Sequence, residues 1–510
     1  MLKISSNHRV AWYGLTIFLS SAFLLVFEIA AGRLLAPYIG VSLYTWTSII
    51  GVILAGLSLG NWIGGAWADR GGDEKAAGVT LALGAGAGFL ILVLLKLIAP
   101  LVQESALDLL TASFIYVSLL FFLPAMLLGI ITPLLTTLAL ALDRRTGKIV
   151  GRMHALAALG SIVGTFVTGY WLVQYFGTRM VIVGTAAALL LLAIPFLVSA
   201  RTRIVVALAL FTVLSVGISM LTNAVENPCQ RESNYYCIRV VDQPGVVPYG
   251  EARAMVLDHL MHGINHSSED WMLLAPYTHL MDELILHHVG ADANSGLRFF
   301  FAGGGAFSQP RATRALYKDV QVTIAELDPV VTEVAEHDLF FKRRGMTVKH
   351  QDARLLLQQA QPASYDVIVG DVFHDVAIPY HLLTREYSHL IKSRLTARGI
   401  YTLNIVDIWP DGQLVKSVVK TLAADFRYVD VWLEEIPAQP TRMTYVLSAS
   451  NKAAMPDTIV ARRGFQRHWR RVTAQMLASG TPMASLPVLT DDYVPVERLI
   501  SPLLLTGLGN

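Results

Sequence analysis

Charge is scarce in this chain. Asp, Glu, Lys and Arg make up 15% of 510 residues and leave a net charge of only +2, whereas hydrophobic residues make up 54%. So small an excess gives no electrostatic footprint for nucleic acid, and no nucleic-acid partner is expected. Cysteine is scarcer still. Cys229 and Cys237 are the only two, and both fall in the short segment CQRESNYYC, where a disulfide and two free thiols are both open readings. A cleavable leader is not expected either, because the first apolar run, Ala11 to Ala31, is long enough to span a bilayer and further runs follow it.

The shortage of charge is uneven. Up to about residue 225, charges are confined to short breaks between long apolar runs; from about 227 onward, short elements alternate at the charge density of a soluble domain. The apolar half predicts about seven membrane-spanning helices, over 11–32, 44–67, 76–99, 111–142, 151–175, 179–199 and 203–224, the fourth open to a kink at Pro124 and Pro133. Small residues recur every fourth position, as in Gly56, Gly60 and Gly64 or Gly160, Gly164 and Thr168, a spacing that lets helix backbones approach closely in lipid. Basic residues (Lys3 and Arg9, Arg70 and Lys75, Arg144 to Arg152, Arg201 and Arg203) fall in alternate loops, with Arg33 and Arg179 the main exceptions. The positive-inside rule therefore puts the N-terminus in the cytoplasm and, after seven crossings of a plasma (inner) membrane, the polar half outside.

The polar half is organised around Arg298 to Asp328. Phe299 to Ala302 reads as a buried strand, Gly303-Gly304-Gly305 as a turn, Pro310 to Tyr317 as a helix, and Val320 to Ala325 as a second strand ending at Glu326. A glycine turn lets the backbone approach a ligand, and an acid at the next strand tip can hold a ribose diol. The triple glycine departs from G-x-G-x-x-G, which favours a nucleoside over a pyrophosphate grip. Further strands are expected over Tyr235 to Val241, Ala254 to Leu257, Thr347 to His350, Tyr365 to Asp371 and Gly399 to Asn404, with helices over Trp271 to His287, Ala353 to Gln359 and Thr384 to Arg394. The alternation predicts a doubly wound, mostly parallel sheet, with Glu326, Asp352 and Asp371 at its strand ends.

On these residues the polar half resembles the spermidine synthase (polyamine aminopropyltransferase) family, in its membrane-fused bacterial branch. The matching pieces are MVLDHLMHG (255–263), FAGGG (301–305), AELDP (325–329), QDARLLL (351–357), YDVIVGDVFHD (365–375) and IPYHLLTREY (378–387), closed by LTDDYVPVERL (489–499). The resemblance implies a helical multi-pass membrane domain (1–225), a small β subdomain and linker (226–290) and a Rossmann-like methyltransferase-type domain (291–510). It implies transfer of an aminopropyl group from decarboxylated S-adenosylmethionine to putrescine or a related amine, with no metal, no permanently bound cofactor and a homodimer as partner state. On the adenosyl side it implies Gly303, Gly304, Gly305 and Tyr236, with Glu326 on the ribose and Asp352, followed by Ala353, on the adenine. Asp371 is implied as the base, and Tyr277, His374, Asp375 and Tyr380 fall on the acceptor side.

Departures from the family pattern matter as much. Ala306 replaces an aspartate, Thr278 replaces a histidine after Tyr277, Tyr236 replaces a glutamine, and one extra residue separates Asp371 from Asp375. His374, Asp375, His381 and Glu386 are the candidates for an altered acceptor site, with a cap or core role the alternative for His381. Two other readings therefore stand beside the first. One is a transferase that uses S-adenosylmethionine or its decarboxylated form on a different acceptor. The other is a polyamine-binding or transport protein without chemistry, a reading the external location favours because adenosyl compounds are cytoplasmic.

Overall fold

The computed structural model describes residues 6–505 apart from 106, 144, 199–201, 291–294, 374–377 and 453. The chain divides into two compact units, Met1–Pro228 and Cys229–Asn510.

Among the described residues, the first unit holds seven helices long and apolar enough to cross a membrane. They are α1 (Ser6–Ile39), α2 (Leu43–Asp69), α3 (Glu74–Gln103), α4 (Leu109–Leu142), α5 (Thr146–Phe176), α6 (Thr178–Leu197) and α7 (Thr202–Leu221). Three begin at polar caps, where the side chains of Ser42, Asp73 and Asp108 accept the N–H of Thr45, Ala76 and Thr111. The fourth runs unbroken through Pro124 and Pro133. The glycine spacing has a direct cause. A Cβ on Gly56 would lie 2.8 Å from the Phe122 carbonyl oxygen and one on Gly64 2.6 Å from that of Ile130, so α2 packs on α4 only through glycine. Gly160 and Gly164 meet the α1 backbone in the same way.

The second unit opens with an antiparallel sheet in chain order: β1 (Arg231–Glu232), β2 (Cys237–Asp242), β3 (Ala252–Leu257) and β4 (Leu260–His266). Cys229 and Cys237 are joined by a disulfide, their Cα atoms 5.2 Å apart, which closes the choice between bridge and thiols.

The main sheet contains β5 (Arg298–Ala302), β6 (Gln321–Ala325), β7 (Thr347–Lys349), β8 (Tyr365–Gly370), β9 (Leu395–Trp409), β10 (Tyr428–Leu433), β11 (Thr441–Ser450), β12 (Thr458–Val460) and β13 (His468–Arg471). Their spatial order is β12-β13-β10-β11-β9-β8-β5-β6-β7. Packed against it are α8 (Pro276–Val289), α9 (Ser308–Leu316), α10 (Pro329–Asp338), α11 (Ala353–Gln359), α12 (Arg385–Arg394) and α13 (Gln413–Leu422). Phe299, Phe300 and Phe301 are at most 2% exposed, each contributing roughly 2–3 kcal/mol of burial, as fits β5, the middle one of the five strands joined by parallel pairings.

The expectation of a mostly parallel sheet is corrected. The pairings from β7 to β9 are parallel, but β9 to β12 are joined by antiparallel pairings. The connection from β10 to β11 is a short loop, which returns the chain as a hairpin and cannot build a parallel crossover. Elsewhere boundaries move slightly. The helix expected from Trp271 starts at Pro276, a residue suited to the first helical position, and the strand expected over Gly399 to Asn404 runs from Leu395 to Trp409. After β5 the chain winds outward through β6 and β7, then returns to β8 on the other side of β5. That reversal opens a crevice at the carboxyl ends of β5 and β8, the place where open α/β sheets bind ligands.

Candidate active site

Gly303 leaves β5 at φ +92°, and its N–H donates to the Ala325 carbonyl at 2.9 Å. A Cβ there would collide with the Asp371 carbonyl, so the turn needs glycine both for its φ and for its space. The next two N–H groups, of Gly304 and Gly305, donate to Glu326 Oε2 at 2.9 and 3.2 Å. The other oxygen, Oε1, accepts the Asp328 N–H at 2.9 Å. Burial pushes the Glu326 carboxyl up, while these three N–H donors pull the other way. The side chain expected to hold a ribose thus also ties the glycine turn to the tip of β6, with lone pairs left for a further donor.

Asp352 caps α11 by accepting the Leu355 N–H at 3.0 Å through Oδ1, and its Oδ2 meets His381 Nε2 at 2.8 Å. The hydrogen bond to His381 is the main reason its carboxyl lies below the usual range. His381 is therefore neither a helix cap nor a core residue but the side-chain partner of the expected adenine-binding acid. Ala353, the first residue of α11, is buried.

Asp371 follows β8, its N–H bonded to the Ala302 carbonyl at 2.9 Å. Tyr277 Oη, from the first turn of α8, donates to Asp371 Oδ2 at 3.3 Å. Burial raises the Asp371 carboxyl to about 6, against the lowering effect of hydrogen bonds from Tyr277 and Asn404. Beside it lies a small pocket lined by His262, Tyr277, Thr278, Gly303, Ser308 and Gln309, among others. His262 is held neutral, its imidazole depressed to about 4 by burial first and by His259 second. A buried carboxylate with a pKa near neutrality, at a strand tip beside a glycine turn, can accept a proton from an amine nucleophile.

The structure thus brings Gly303, Gly304, Gly305, Glu326, Tyr277 and Asp371 together at the β5–β8 crevice, with Asp352 and Ala353 past β7. Tyr236 Oη donates to the Phe373 carbonyl at 3.1 Å, so it braces the segment after Asp371. Tyr380 is 64% exposed and does not line the pocket. Glu386 is likewise exposed, its Oε2 accepting the Asp491 N–H at 3.0 Å, well inside the C-terminal segment's contacts. His374 and Asp375 lie outside the described residues. Ala306 is buried, its carbonyl accepting from Asn265 Nδ2 at 2.7 Å.

Sequence reasoning missed three lining or neighbouring groups. Asn404 faces Asp371 because Gly370 pairs with Leu403 in register; its signal was a lone amide inside the apolar run GIYTLNIV. His262 reaches the pocket from β4, a strand the sequence reading did not propose. Gln309 is buried, and its Oε1 has no hydrogen-bond partner. His262 lies inside the piece MVLDHLMHG, where nothing marked it as a pocket residue, and Gln309 had no local signal.

Comparison with known proteins bears on the same residues. The model of the spermine/spermidine synthase domain matches residues 279–458. A polyamine aminopropyltransferase of Vibrio vulnificus (strain CMCP6) is 36% identical over 110 residues, which is 21% of this chain and 37% of that protein. A probable polyamine aminopropyl transferase of Bifidobacterium longum (strain NCC 2705) is 24% identical over 225 residues, 41% of this chain and 49% of the other. The chain therefore spans less than half the length of these curated relatives. Among solved structures, a probable spermidine synthase from Corynebacterium glutamicum ATCC 13032 aligns at 18% identity and a TM-score of 0.42, covering 50% of this chain and 98% of that one.

Proposed function

We propose, for a chain whose residues 279–458 belong to the spermine/spermidine synthase family, a membrane-anchored aminopropyltransferase that uses decarboxylated S-adenosylmethionine and an amine acceptor. The observation that carries this reading is Asp371, a carboxyl raised to about 6 at the tip of β8, against the glycine turn. In the reaction, the lone pair of the acceptor nitrogen attacks the aminopropyl carbon bonded to sulfur. A C–N bond forms, the C–S bond breaks, and its electron pair leaves a neutral thioether, methylthioadenosine. The proton shed by the nitrogen goes to Asp371. The sulfonium is already a good leaving group, so alignment and proton placement are the protein's tasks. Glu326 would accept from the ribose hydroxyls and Asp352 from the adenine amino group. The seven apolar helices support anchoring in a bilayer.

The test is incubation of full-length protein and an Asp371→Asn variant with decarboxylated S-adenosylmethionine and putrescine, followed by mass spectrometry. Methylthioadenosine and spermidine from the native protein only are the expected result. Neither product from a folded native protein would sink the proposal.

A second reading, transfer of the same group to an acceptor other than putrescine, is favoured by the lining beside Asp371. His262 is neutral, Thr278 and Gln309 carry no charge, and Ala306 stands where the family pattern has an acid. A diamine's far ammonium seeks a carboxylate, whereas hydroxyl and amide groups suit a neutral polar end. Methylthioadenosine formed with a range of amines but little spermidine from putrescine would select this reading.

A further inference from the structure

The closing motif LTDDYVPVERL has no place in the chemistry above, yet its Asp491 makes a two-pronged ion pair in the second unit. Arg354 Nη1 and Nη2 donate to Asp491 Oδ1 and Oδ2 at 2.7 and 2.6 Å. Arg354 stands two residues after Asp352 on the same helix, α11. Its Nη1 also donates to the His381 carbonyl at 3.0 Å, and His381 in turn holds Asp352 Oδ2 at 2.8 Å. Asp491, Arg354, His381 and Asp352 therefore form a circuit closed by the α11 backbone.

The segment that delivers Asp491 is itself tied down. Lys416 Nζ, buried and paired with Asp411 at 2.7 Å, donates to the carbonyls of Ser479 and Thr481. Lys420 Nζ donates to those of Met483 and Leu486 at 3.2 and 2.7 Å. Further on, the Arg385 N–H donates to the Leu489 carbonyl at 2.8 Å, and Leu503, fully buried, packs on Val406 next to Phe373.

We propose that residues 479–504 form a strap that positions the nucleoside side of the site, with Asp491 acting through Arg354 as a positioning residue for Asp352. The role as a nucleoside aid rests on the adenosyl-binding reading above; the role as a strap does not. A planar guanidinium held on both oxygens of Asp491 is kept off Asp352, leaving that carboxylate to His381 and to a ligand donor. Released, Arg354 is a mobile cation two residues along the chain from Asp352 and within electrostatic reach of Glu386 on α12. The pair is partly exposed, 17% at Arg354 and 43% at Asp491, so it adds little to global stability and its loss should be read locally.

The experiment uses full-length protein and the variants Asp491→Asn, Asp491→Glu and Arg354→Lys. Three quantities are measured: methylthioadenosine affinity by equilibrium dialysis, KM for each substrate, and amide hydrogen exchange at 353–359 and 380–384. Asp491→Asn and Arg354→Lys are expected to weaken methylthioadenosine about tenfold, the loss of one strong charge-assisted contact. They should raise KM for the adenosyl substrate alike, leave the amine KM within about twofold, and speed exchange in both segments, with Asp491→Glu close to native. Native affinity and native exchange in Asp491→Asn would overturn the proposal. So would a parallel loss for both substrates together with a lowered unfolding temperature, which marks a general structural role. Faster exchange in the variants, with no methylthioadenosine binding by the native protein, would uphold the strap and discard the adenosyl reading.

Discussion

Tyr277 Oη and Asp371 Oδ2 stand 3.3 Å apart across 94 positions of sequence, joining the first turn of α8 to the tip of β8. The pair couples the two walls of the pocket, and the hydrogen bond opposes the burial that raises the Asp371 carboxyl to about 6. Asp371 must be ionised to accept a proton, so kcat/KM should fall with a slope of one as pH drops through about 6. His262, neutral above about 4, should add no second limb in that range. Tyr277→Phe removes a donor to the carboxylate and should move the limb upward. Asp371→Asn should cost about 10²–10⁴ in rate, the usual worth of a positioned base. A pH–rate profile of the three proteins checks all of this; a limb that survives in Asp371→Asn would assign it elsewhere.

Asp371 should also be a stability liability. Its folded pKa is raised, so between about 4 and 6 the folded chain keeps a proton that the unfolded chain releases, and stability falls as pH rises through that window. Above it the buried charge costs up to about 3 kcal/mol, from a shift of about two units at 1.36 kcal/mol each. Asp371→Asn should unfold about 1–3 kcal/mol later than native at pH 8 and at the same point at pH 4. Thermal unfolding at both pH values checks this, and equal stability at pH 8 would mean the carboxylate is solvated.

Gly303→Ala meets two obstacles, a φ of +92° and the carbonyl of Asp371. The expected cost is roughly 2–4 kcal/mol, with loss of methylthioadenosine binding because the turn and the base move together. Gly296→Ala, at φ +71° with open space around its Cβ, serves as the control and should cost only about 1 kcal/mol. Similar losses in both would show that strain alone, and not the approach to Asp371, sets the glycine requirement.

The Cys229–Cys237 disulfide closes a short loop, with a sequence separation of 8, and should contribute about 2–3 kcal/mol to the second unit. Reductant or a Cys229→Ser, Cys237→Ser double variant should lower the unfolding temperature accordingly. The same bridge probes sidedness. With the polar half outside the cytoplasm, as the basic loops imply, a membrane-impermeant maleimide should label intact cells only after external reduction. Labelling confined to lysed cells would put the second unit in the cytoplasm and return it to the adenosyl pool.

Much of this protein was written in local patterns. Seven apolar runs, the Phe-rich strand before Gly303-Gly304-Gly305, and acids at Glu326, Asp352 and Asp371 are consequences of hydrophobicity, backbone freedom and strand-tip position, all of which act within a few residues. The four-residue glycine spacing likewise announced close helix packing before any partner helix was known. Sequence order alone did not decide what those groups touch. Tyr277 and Asn404 flank Asp371, His381 sits on Asp352, Asp491 clamps Arg354, and His262 enters from another sheet, because pairing register and chain reversal bring distant segments together. The antiparallel half of the main sheet belongs to the same class: it follows from a hairpin return and from which edge lay open. Local chemistry determined the elements and their reactive tips; long-range packing decided the partners, and through them the charge state at which each acid works.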